Sequence, residues 1–305
     1  MRIHQSGVLS RNCVACLGAG LIVSGMLLWP GRGIAQNIIM QDQGSTATLN
    51  LGGGTGNLGM NSWSVGGQNQ LNQQWFWYSI NGAVAQSVNT LGMLGIPQTA
   101  NGLDGINDVA VTYQSSQLQA NIEYALSGNG NGSGSADMQE YIQLKNVGTS
   151  TFTLNFFQYS DFNLLGGQND TVNIFGSPYD SGNSFSGWSG ASQTTGNGGS
   201  GIAEVVTAPN ANFAEANTVG GPNSTLARLA NMSNFTLNNN TSAGPGDVTW
   251  AFQWTAVLAP DDMLDITKDK GLSIQVIPEP GTTALAVLGG LCLMGWTVRR
   301  RHSAS

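Results

Sequence analysis

The central region of this 305-residue sequence contains no cysteine and no histidine. All three cysteines and both histidines lie close to the two ends of the chain. Residues 36–277 therefore cannot form a Ser-His-Asp triad, a Cys-His pair or a zinc site of histidine or thiolate ligands. Disulfide bonds are excluded as well, so a domain built from this region depends on the burial of its own core. No cofactor is expected from this inventory.

Basic residues are almost as scarce in the central region. Four of them, Lys145, Arg228, Lys268 and Lys270, stand against sixteen acidic residues, so the formal charge is about −12. Nucleic acid is not an expected partner, because its recognition depends on clustered Lys and Arg. Low charge density combined with abundant Gly, Asn, Ser, Thr and Gln is similar to the composition of bacterial surface or matrix proteins.

The first 35 residues have the organisation of a secretory signal peptide. Arg2 and Arg11 provide a positive start, and residues 13–29 form an apolar stretch. Small residues at Gly33 and Ala35 then predict cleavage by signal peptidase after Ala35. A retained N-terminal anchor helix is the alternative.

The C-terminal residues 278–305 contain three parts in a fixed order. A Pro-Glu-Pro-Gly motif at residues 278–281 precedes an uncharged apolar run at residues 282–298, and an arginine cluster at residues 299–301 follows. As a helix, the apolar run would be about 26 Å long, close to the thickness of a bilayer core. The arginines would stay in the cytoplasm, so the central region is expected on the outer side of the membrane.

This order of parts resembles the PEP-CTERM sorting domain of Gram-negative bacteria that carry an exosortase. The resemblance implies that Pro278, Glu279 and Pro280 are the sorting motif and that Arg299, Arg300 and Arg301 are a transient membrane stop. It also implies that an exosortase removes the helix while the protein moves from the inner membrane to the cell surface or extracellular matrix, often in bacteria that make exopolysaccharide. An ordinary single-pass anchor is the alternative.

Apolar and polar residues alternate along several segments of residues 36–277, whereas no long helical period occurs. Leu118, Ile122 and Leu126 share one face of one such segment, and Trp250 and Trp254 share one face of another. Clusters of glycine and asparagine between the segments are typical of turns, and residues 268–271 are predicted to form the last hairpin turn. We therefore predict one all-β domain of about a dozen strands, an antiparallel β-sandwich of the jelly-roll type. Residues 180–240 are loop-rich and could be an insertion.

The sequence contains two notable aromatic segments, and the first is a candidate for ligand contact. Trp75, Trp77 and Tyr78 lie in a run of four aromatic residues and could stack on sugar rings, although a core strand would have the same pattern. Residues 156–164, with Asp161 among aromatic residues and Asp170 further on, form the second segment. Both segments loosely resemble uncharacterised ectodomains that carry the same sorting tail, a resemblance that implies no activity.

Carboxylates provide the remaining candidates for chemistry. Asp104 and Asp108 lie in a loop whose oxygen atoms suit calcium, and Asp161 could serve calcium or a turn, but no EF-hand or β-roll pattern is present. Glycoside hydrolysis needs only two carboxylates, yet no spacing singles out a pair. The available glutamates are Glu123, Glu140, Glu204 and Glu215.

Three functions remain open on the sequence alone. The leading hypothesis is a non-enzymatic surface or matrix component associated with exopolysaccharide. A carbohydrate-binding module, with polysaccharide as the partner, is the first alternative. A secreted carbohydrate-active enzyme with paired carboxylates is the second, and an exposed aromatic strip or a cleft with two carboxylates would distinguish the last two.

Overall fold

The computed structural model describes residues 37–52, 57–166, 169–183, 186–196 and 198–274. Within these ranges the chain forms eighteen strands, one α-helix and two short 3₁₀ helices at Val88–Leu91 and Leu164–Gly166. The elements are β1 (Asn37–Asp42), β2 (Ser45–Asn50), β3 (Gly59–Val65), β4 (Gln68–Asn69), β5 (Leu71–Ile80), β6 (Gln86–Ser87), β7 (Gln98–Asn101), β8 (Ile106–Gln114), β9 (Leu118–Gly128), β10 (Ser135–Asn146), β11 (Phe152–Phe162), β12 (Asp170–Ser177), β13 (Gly187–Thr194), β14 (Gly201–Ala208), β15 (Phe213–Thr218), α1 (Thr225–Asn231), β16 (Ser242–Gly246), β17 (Val248–Leu258) and β18 (Met263–Ser273).

The strands form two antiparallel sheets that pack face to face. The first sheet has the order β1-β2-β3-β5-β11-β17-β15, with β4 added to β3 and β6 to β5. The second sheet has the order β16-β12-β13-β14-β18-β10-β9-β8-β7. This architecture confirms the predicted all-β antiparallel sandwich, although the strands are more numerous than the dozen expected.

The core lies between the sheets and follows the alternation seen in the sequence. In β9, every second residue from Leu118 to Leu126 is buried, while the residues that alternate with them are partly or fully exposed. Aromatic side chains fill the centre, where the Phe162 ring stacks on Trp250 with centroids 5.3 Å apart. Each such large side chain stabilises the fold by about 1.5–3 kcal/mol through burial, so this core can replace the missing disulfides.

Gly59 allows two strands of the first sheet to approach closely. It opens β3 with a φ of +86°, and a Cβ atom there would lie 2.3 Å from the Gln74 carbonyl oxygen. The same Cβ would lie 2.4 Å from a ring atom of Trp75. A side chain at position 59 would therefore push β3 away from β5.

Two predictions about local structure are wrong. Residues 268–271 do not form a hairpin turn, because they lie inside the eleven-residue strand β18 and pair with β10 and β14. The turn before β18 instead lies near Asp261, whose φ is +69°. Residues 180–240 are also not a loop insertion, since β13, β14 and β15 contribute to both sheets.

The predicted flanking segments lie outside the described residues. These are the signal peptide at 1–35 with its cleavage site at Ala35, and the sorting signal at 278–305 with its apolar run and arginine cluster. In the described part of the chain, no helix has the length and apolar character needed to cross a membrane.

Candidate functional site

A shallow cleft lies on the outward face of the second sheet, which points away from the first sheet. Its volume is about 370 Å³, and strands β7, β8, β9, β10 and β18 line it. Glu123, Tyr141 and Thr267 form one row across its floor, because Tyr141 pairs with Glu123 on one side and with Thr267 on the other. Asp108 and Gln139 lie in the next row.

The alternation of the strands explains why polar groups gather in this cleft. In β9, Ile122 and Tyr124 enter the core, so Glu123 between them must point outward. The same phase in β10 buries Glu140 and Ile142 and leaves Tyr141 on the outer face. The cleft thus combines two carboxylates, a phenol and amides within a few strand spacings of one another.

Hydrogen bonds fix several of these side chains. The Tyr141 hydroxyl donates to Asp265 Oδ1 at 2.9 Å, and Gln143 Nε2 donates to the same oxygen at 3.0 Å. The hydrogen bond to Asp265 raises the pKa of Tyr141, so the phenol remains protonated at neutral pH. Asn121 Nδ2 donates to Glu123 Oε1 at 3.0 Å, which holds this carboxylate beside the cleft.

A second row of side chains extends the outward face well beyond the cleft. Neighbouring strands place these residues directly opposite one another, in the order Phe175, Gly190, Val205, Asp269, Gln139, Ala125 and Asp108. Phe175 is 50% exposed and Val205 is 54% exposed. Six strand spacings of about 4.8 Å give the row a length of about 29 Å. The surface is therefore long enough for an extended ligand.

The inward face of the same sheet carries an unusual group of buried charges, which we call the charged quartet: Glu140, Glu204, Lys268 and Lys270. The register in which β18 pairs with β10 and β14 explains why these side chains are close together. Glu140 lies opposite Lys268, and Glu204 lies opposite Lys270. Lys268 Nζ is 2.5 Å from Glu140 Oε2, and Lys270 Nζ is 2.6 Å from Glu140 Oε1. All four side chains are completely buried.

The pKa shifts in the quartet reflect a balance of burial and charge. Burial acts to raise the pKa of Glu140, but the ammonium groups of Lys268 and Lys270 outweigh it and lower that pKa. Burial lowers the pKa of Lys268 to about 8, against the opposing effect of Glu140. For Lys270, burial acts to lower the pKa, but the attraction of Glu140 and Glu204 raises it.

The aromatic residues predicted as ligand contacts belong to the core. Trp75 is 0% exposed, Trp77 is 8% exposed and Tyr78 is 9% exposed. Trp77 packs edge-on against Tyr159 with centroids 6.0 Å apart. The stacking interpretation of this segment is therefore corrected, because none of the three rings presents an open face to solvent.

The predicted calcium candidates are separated by the fold. Asp104 Oδ2 accepts a hydrogen bond from the Gln43 backbone at 2.8 Å, whereas Asp108 lies in the outward cleft. Asp161 is buried and accepts hydrogen bonds from Asn72 and Tyr159. Across the described ranges, no group of three or more acidic, histidine or cysteine side chains is arranged to hold a metal ion.

The four glutamates named from the sequence fall into three environments. Glu123 lies at the cleft, Glu140 and Glu204 belong to the quartet, and Glu215 is buried in an ion pair with Arg228. Lys268 and Lys270 were not among the predicted site residues. Their positions alternate in phase with Ile266 and Leu272, and this pattern is the signal that places them on the inward face.

Neither a protein-family model nor a curated protein sequence matches this chain. Among solved structures, it is similar to a galactose mutarotase related enzyme from Lactobacillus acidophilus, with a TM-score of 0.51 and 7% identity over 79% of this chain and 99% of that one. A bacterial glucoamylase complexed with acarbose gives a TM-score of 0.50 and 9% identity over 84% of this chain and 36% of its own. A galactose mutarotase-like protein from Lactobacillus casei gives 0.44 and 8% identity over 78% and 100%. At these identities, the first two comparisons show a shared fold.

The comparison also corrects the expectation that this chain is not an enzyme. The structures from Lactobacillus acidophilus and the bacterial glucoamylase, which share the fold, are both named as enzymes. The lack of histidine and cysteine in residues 36–277 does not exclude catalysis either, because carboxylates and tyrosine can perform acid-base chemistry.

Proposed function

We propose that this protein is an exported, carbohydrate-directed surface protein that binds polysaccharide along the outward face of its second sheet. The observation that carries the proposal is the outward cleft, where Glu123, Tyr141 and Thr267 lie side by side. Carboxylates and amides can hydrogen-bond sugar hydroxyls, and aromatic rings can contact the apolar faces of sugars. The fold shared with a galactose mutarotase related enzyme and a glucoamylase supports a carbohydrate ligand.

The shape of the surface favours a chain rather than a single sugar. The row from Phe175 to Asp108 crosses seven strands and joins the cleft at its Asp108 end. An exposed aromatic ring at one end and carboxylates at the other provide contacts at separate points along a polymer. We therefore infer that the ligand is an extended polysaccharide such as a matrix exopolysaccharide.

Delivery to that ligand is the second part of the proposal. The order of the Pro-Glu-Pro motif, the apolar run and the arginine cluster supports export through signal peptidase, transit through the inner membrane and processing by an exosortase. Mass spectrometry of the mature protein from its host tests this route, with Glu279→Ala and an exosortase deletion as comparisons. Loss of the C-terminal helix in the wild type alone would support sorting, and a helix present in every sample would refute it.

Binding is tested by titrating the mature protein with soluble oligosaccharides from bacterial exopolysaccharides. Tyr141→Ala and Glu123→Gln should each weaken binding at least about tenfold, because a hydrogen bond to a charged or buried group is worth about 1.5–3 kcal/mol. Asp261→Asn, at the turn before β18, is the matched control and should leave the affinity unchanged. Equal affinities in all four proteins would rule out the cleft as the binding site.

A catalytic role for the same cleft is the second candidate function. The specific observation is that Glu123 and Tyr141 are direct cross-strand neighbours, which places a carboxylate and a protonated phenol beside one bound sugar ring. Such a pair can accept a proton from one sugar oxygen and donate a proton to another. Interconversion of sugar anomers, followed by polarimetry, tests this role. A rate that Glu123→Gln and Tyr141→Phe both abolish would support it, and a rate equal to the buffer rate would refute it.

A further inference from the structure

The charged quartet contains one feature that ion pairing does not explain. Among the described residues, the polar partners of Lys270 Nζ are the carboxylates of Glu140 at 2.6 Å and Glu204 at 3.4 Å. Lys268 instead has a side-chain amide as its second close partner, because its Nζ contacts Gln158 Oε1. Gln158 belongs to β11 of the first sheet, whereas Lys268 belongs to β18 of the second sheet.

The Gln158 amide is held on both of its sides. Its Nε2 donates to Glu204 Oε2 at 2.8 Å and to Ser160 Oγ at 2.9 Å. Trp250 Nε1 donates to the same Glu204 oxygen at 2.7 Å and so fixes this carboxylate. The amine, the amide and two carboxylates are thus close together in the core. Gln158 and Lys268 are both 0% exposed, so solvent does not reach them.

From this geometry we propose that Lys268 and Gln158 form an intramolecular isopeptide bond that joins the two sheets covalently. The carbonyl carbon of Gln158 lies one C=O bond, about 1.2 Å, beyond the oxygen that Lys268 contacts. Nucleophile and carbonyl are therefore already adjacent, which is the arrangement that speeds reactions between groups of one molecule. The loss of surrounding water strengthens the interactions that hold them.

The quartet provides the proton transfers that the reaction requires. Glu140, in contact with Lys268 Nζ at 2.5 Å, accepts one proton and leaves a neutral amine. The amine attacks Gln158 Cδ, and the new C–N bond forms as the carbonyl becomes tetrahedral. Glu204 accepts the second proton from the attacking nitrogen, which lies 3.6 Å from its Oε1, and passes that proton to the Gln158 amide nitrogen that it already binds.

The C–N bond of the Gln158 amide then breaks and ammonia leaves. Ammonia takes the first proton from Glu140 and departs as ammonium, so both carboxylates return to their starting state. Overall, one lysine ammonium and one carboxamide become one secondary amide and one ammonium ion, without an oxidant or another reactant. A lysine pKa of about 8 supports this sequence, because about a tenth of the amine is then neutral at pH 7.

The surroundings of Lys268 suit such a bond. Its Nζ lies 4.8 Å from the centre of the Phe76 ring, and burial keeps water away from the product. The bond would close a loop of 110 residues between the central strands of the two sheets. It would give a domain without cysteine the kind of covalent constraint that disulfides give other exported proteins.

Peptide mapping of the mature protein from its host tests the proposal directly. After denaturation and digestion with trypsin, the peptide of residues 146–228 should be joined to the peptide of residues 229–270, since trypsin does not cut after an acylated Lys268. The joined species should be 17 Da lighter than the sum of its two parts. Mapping is needed because cyclisation of Gln36 at the predicted mature N-terminus would also remove 17 Da, but elsewhere in the chain.

Variants separate the proposed chemistry from simple packing. Glu140→Gln keeps the shape of the quartet but removes the proton acceptor, so the two peptides should appear separately. Lys270→Arg keeps a charge beside Glu140 and should retain the joined peptide. Circular dichroism of each variant verifies that the sheets are formed. Separate, unmodified peptides in the folded wild-type protein would overturn the proposal, as would a loss of 18 Da that joins Lys268 to Glu140.

Discussion

The two faces of the second sheet use the same strands and similar side chains in opposite ways. In β10 and β18, Glu140, Lys268 and Lys270 point inward, while Tyr141 and Asp265 point outward. The inward lysines contact Glu140 at 2.5–2.6 Å and are completely buried, whereas the outward carboxylates are spread over about 29 Å of surface. A buried charge must be neutralised by a neighbouring group of opposite charge, whereas an exposed charge is available to bind a ligand.

This contrast also shows why the quartet is not a second binding cleft. Each of its members has partners within the molecule, and the core seals it from solvent. Its polar groups can therefore act only on one another and on the core side chains that they contact, such as Gln158. The outward face has the reverse properties, because Glu123 and Asp108 are exposed and no cation neutralises them in the cleft.

The largest effect on stability is expected when the quartet loses one of its positive charges. Lys270→Met should lower the free energy of unfolding by about 3–5 kcal/mol, because it removes an ammonium group that neutralises the buried carboxylates of Glu140 and Glu204. Chemical denaturation at pH 7, followed by tryptophan fluorescence, measures this loss. A change below about 1 kcal/mol would mean that the quartet tolerates an unmatched charge and that the contrast between the faces is wrong.

The next largest effect on stability is expected at Asp161, a buried carboxylate that has no cationic partner among the described residues. Burial raises the pKa of Asp161 from 3.8 to about 6, whereas the pKa of Glu140 beside two ammonium groups is lowered. The contribution of Asp161 to stability is therefore complete below pH 3.8 and is lost as the pH rises through about 6. The pKa difference of about 2 corresponds to about 3 kcal/mol.

Asp161→Asn tests this assignment, because the amide keeps an acceptor for Asn72 but carries no charge. The variant should be more stable than the wild type at pH 8, by up to about 3 kcal/mol, and the advantage should disappear near pH 3.5. Denaturation curves across this pH range measure it. A variant whose advantage is the same at both pH values would show that Asp161 does not titrate as assigned.

Much of the sandwich could be predicted from the sequence because one face of each long strand is apolar. The alternation in β9 and β17 places Ile122 and Trp250 in the core without any knowledge of strand pairing. For the quartet, alternation places Lys268 and Lys270 on the inward face, but it does not show which carboxylates neutralise them. Only the pairing of Glu140 with Lys268 and of Glu204 with Lys270 shows that these charges neutralise one another.

Only part of the candidate cleft could be predicted from the sequence. The outward phase of Glu123 and Tyr141 follows from alternation, but their contact depends on the register between β9 and β10. The row from Phe175 to Asp108 depends on the order of seven strands, in which β18 pairs with β14 and β10 although both are distant from it in the chain. Prominent aromatic runs, by contrast, gave the wrong signal, because Trp75 and Trp77 are needed to fill the core.

A smaller effect is expected at the exposed aromatic end of the outward face. Phe175→Ala removes a ring that is half exposed, so the stability of the domain should change by less than about 0.5 kcal/mol. Affinity for a hexasaccharide should fall about tenfold if the ligand follows the row, whereas affinity for a disaccharide held in the cleft should not change. Equal losses for both lengths, or no loss for either, would contradict an extended binding face.

The smallest effect on stability should come from replacing an exposed lysine by methionine, the same change that is most destabilising in the core. Lys145 pairs with Asp261 at 3.0 Å, but the Asp261 side chain is 86% exposed. Lys145→Met should therefore change the free energy of unfolding by no more than about 1 kcal/mol, against about 3–5 kcal/mol for Lys270→Met. Raising the salt concentration to 1 M should abolish even this small difference, because exposed pairs are screened and buried pairs are not. If the two lysine variants lost equal stability, burial would not be what separates the two faces of the sheet.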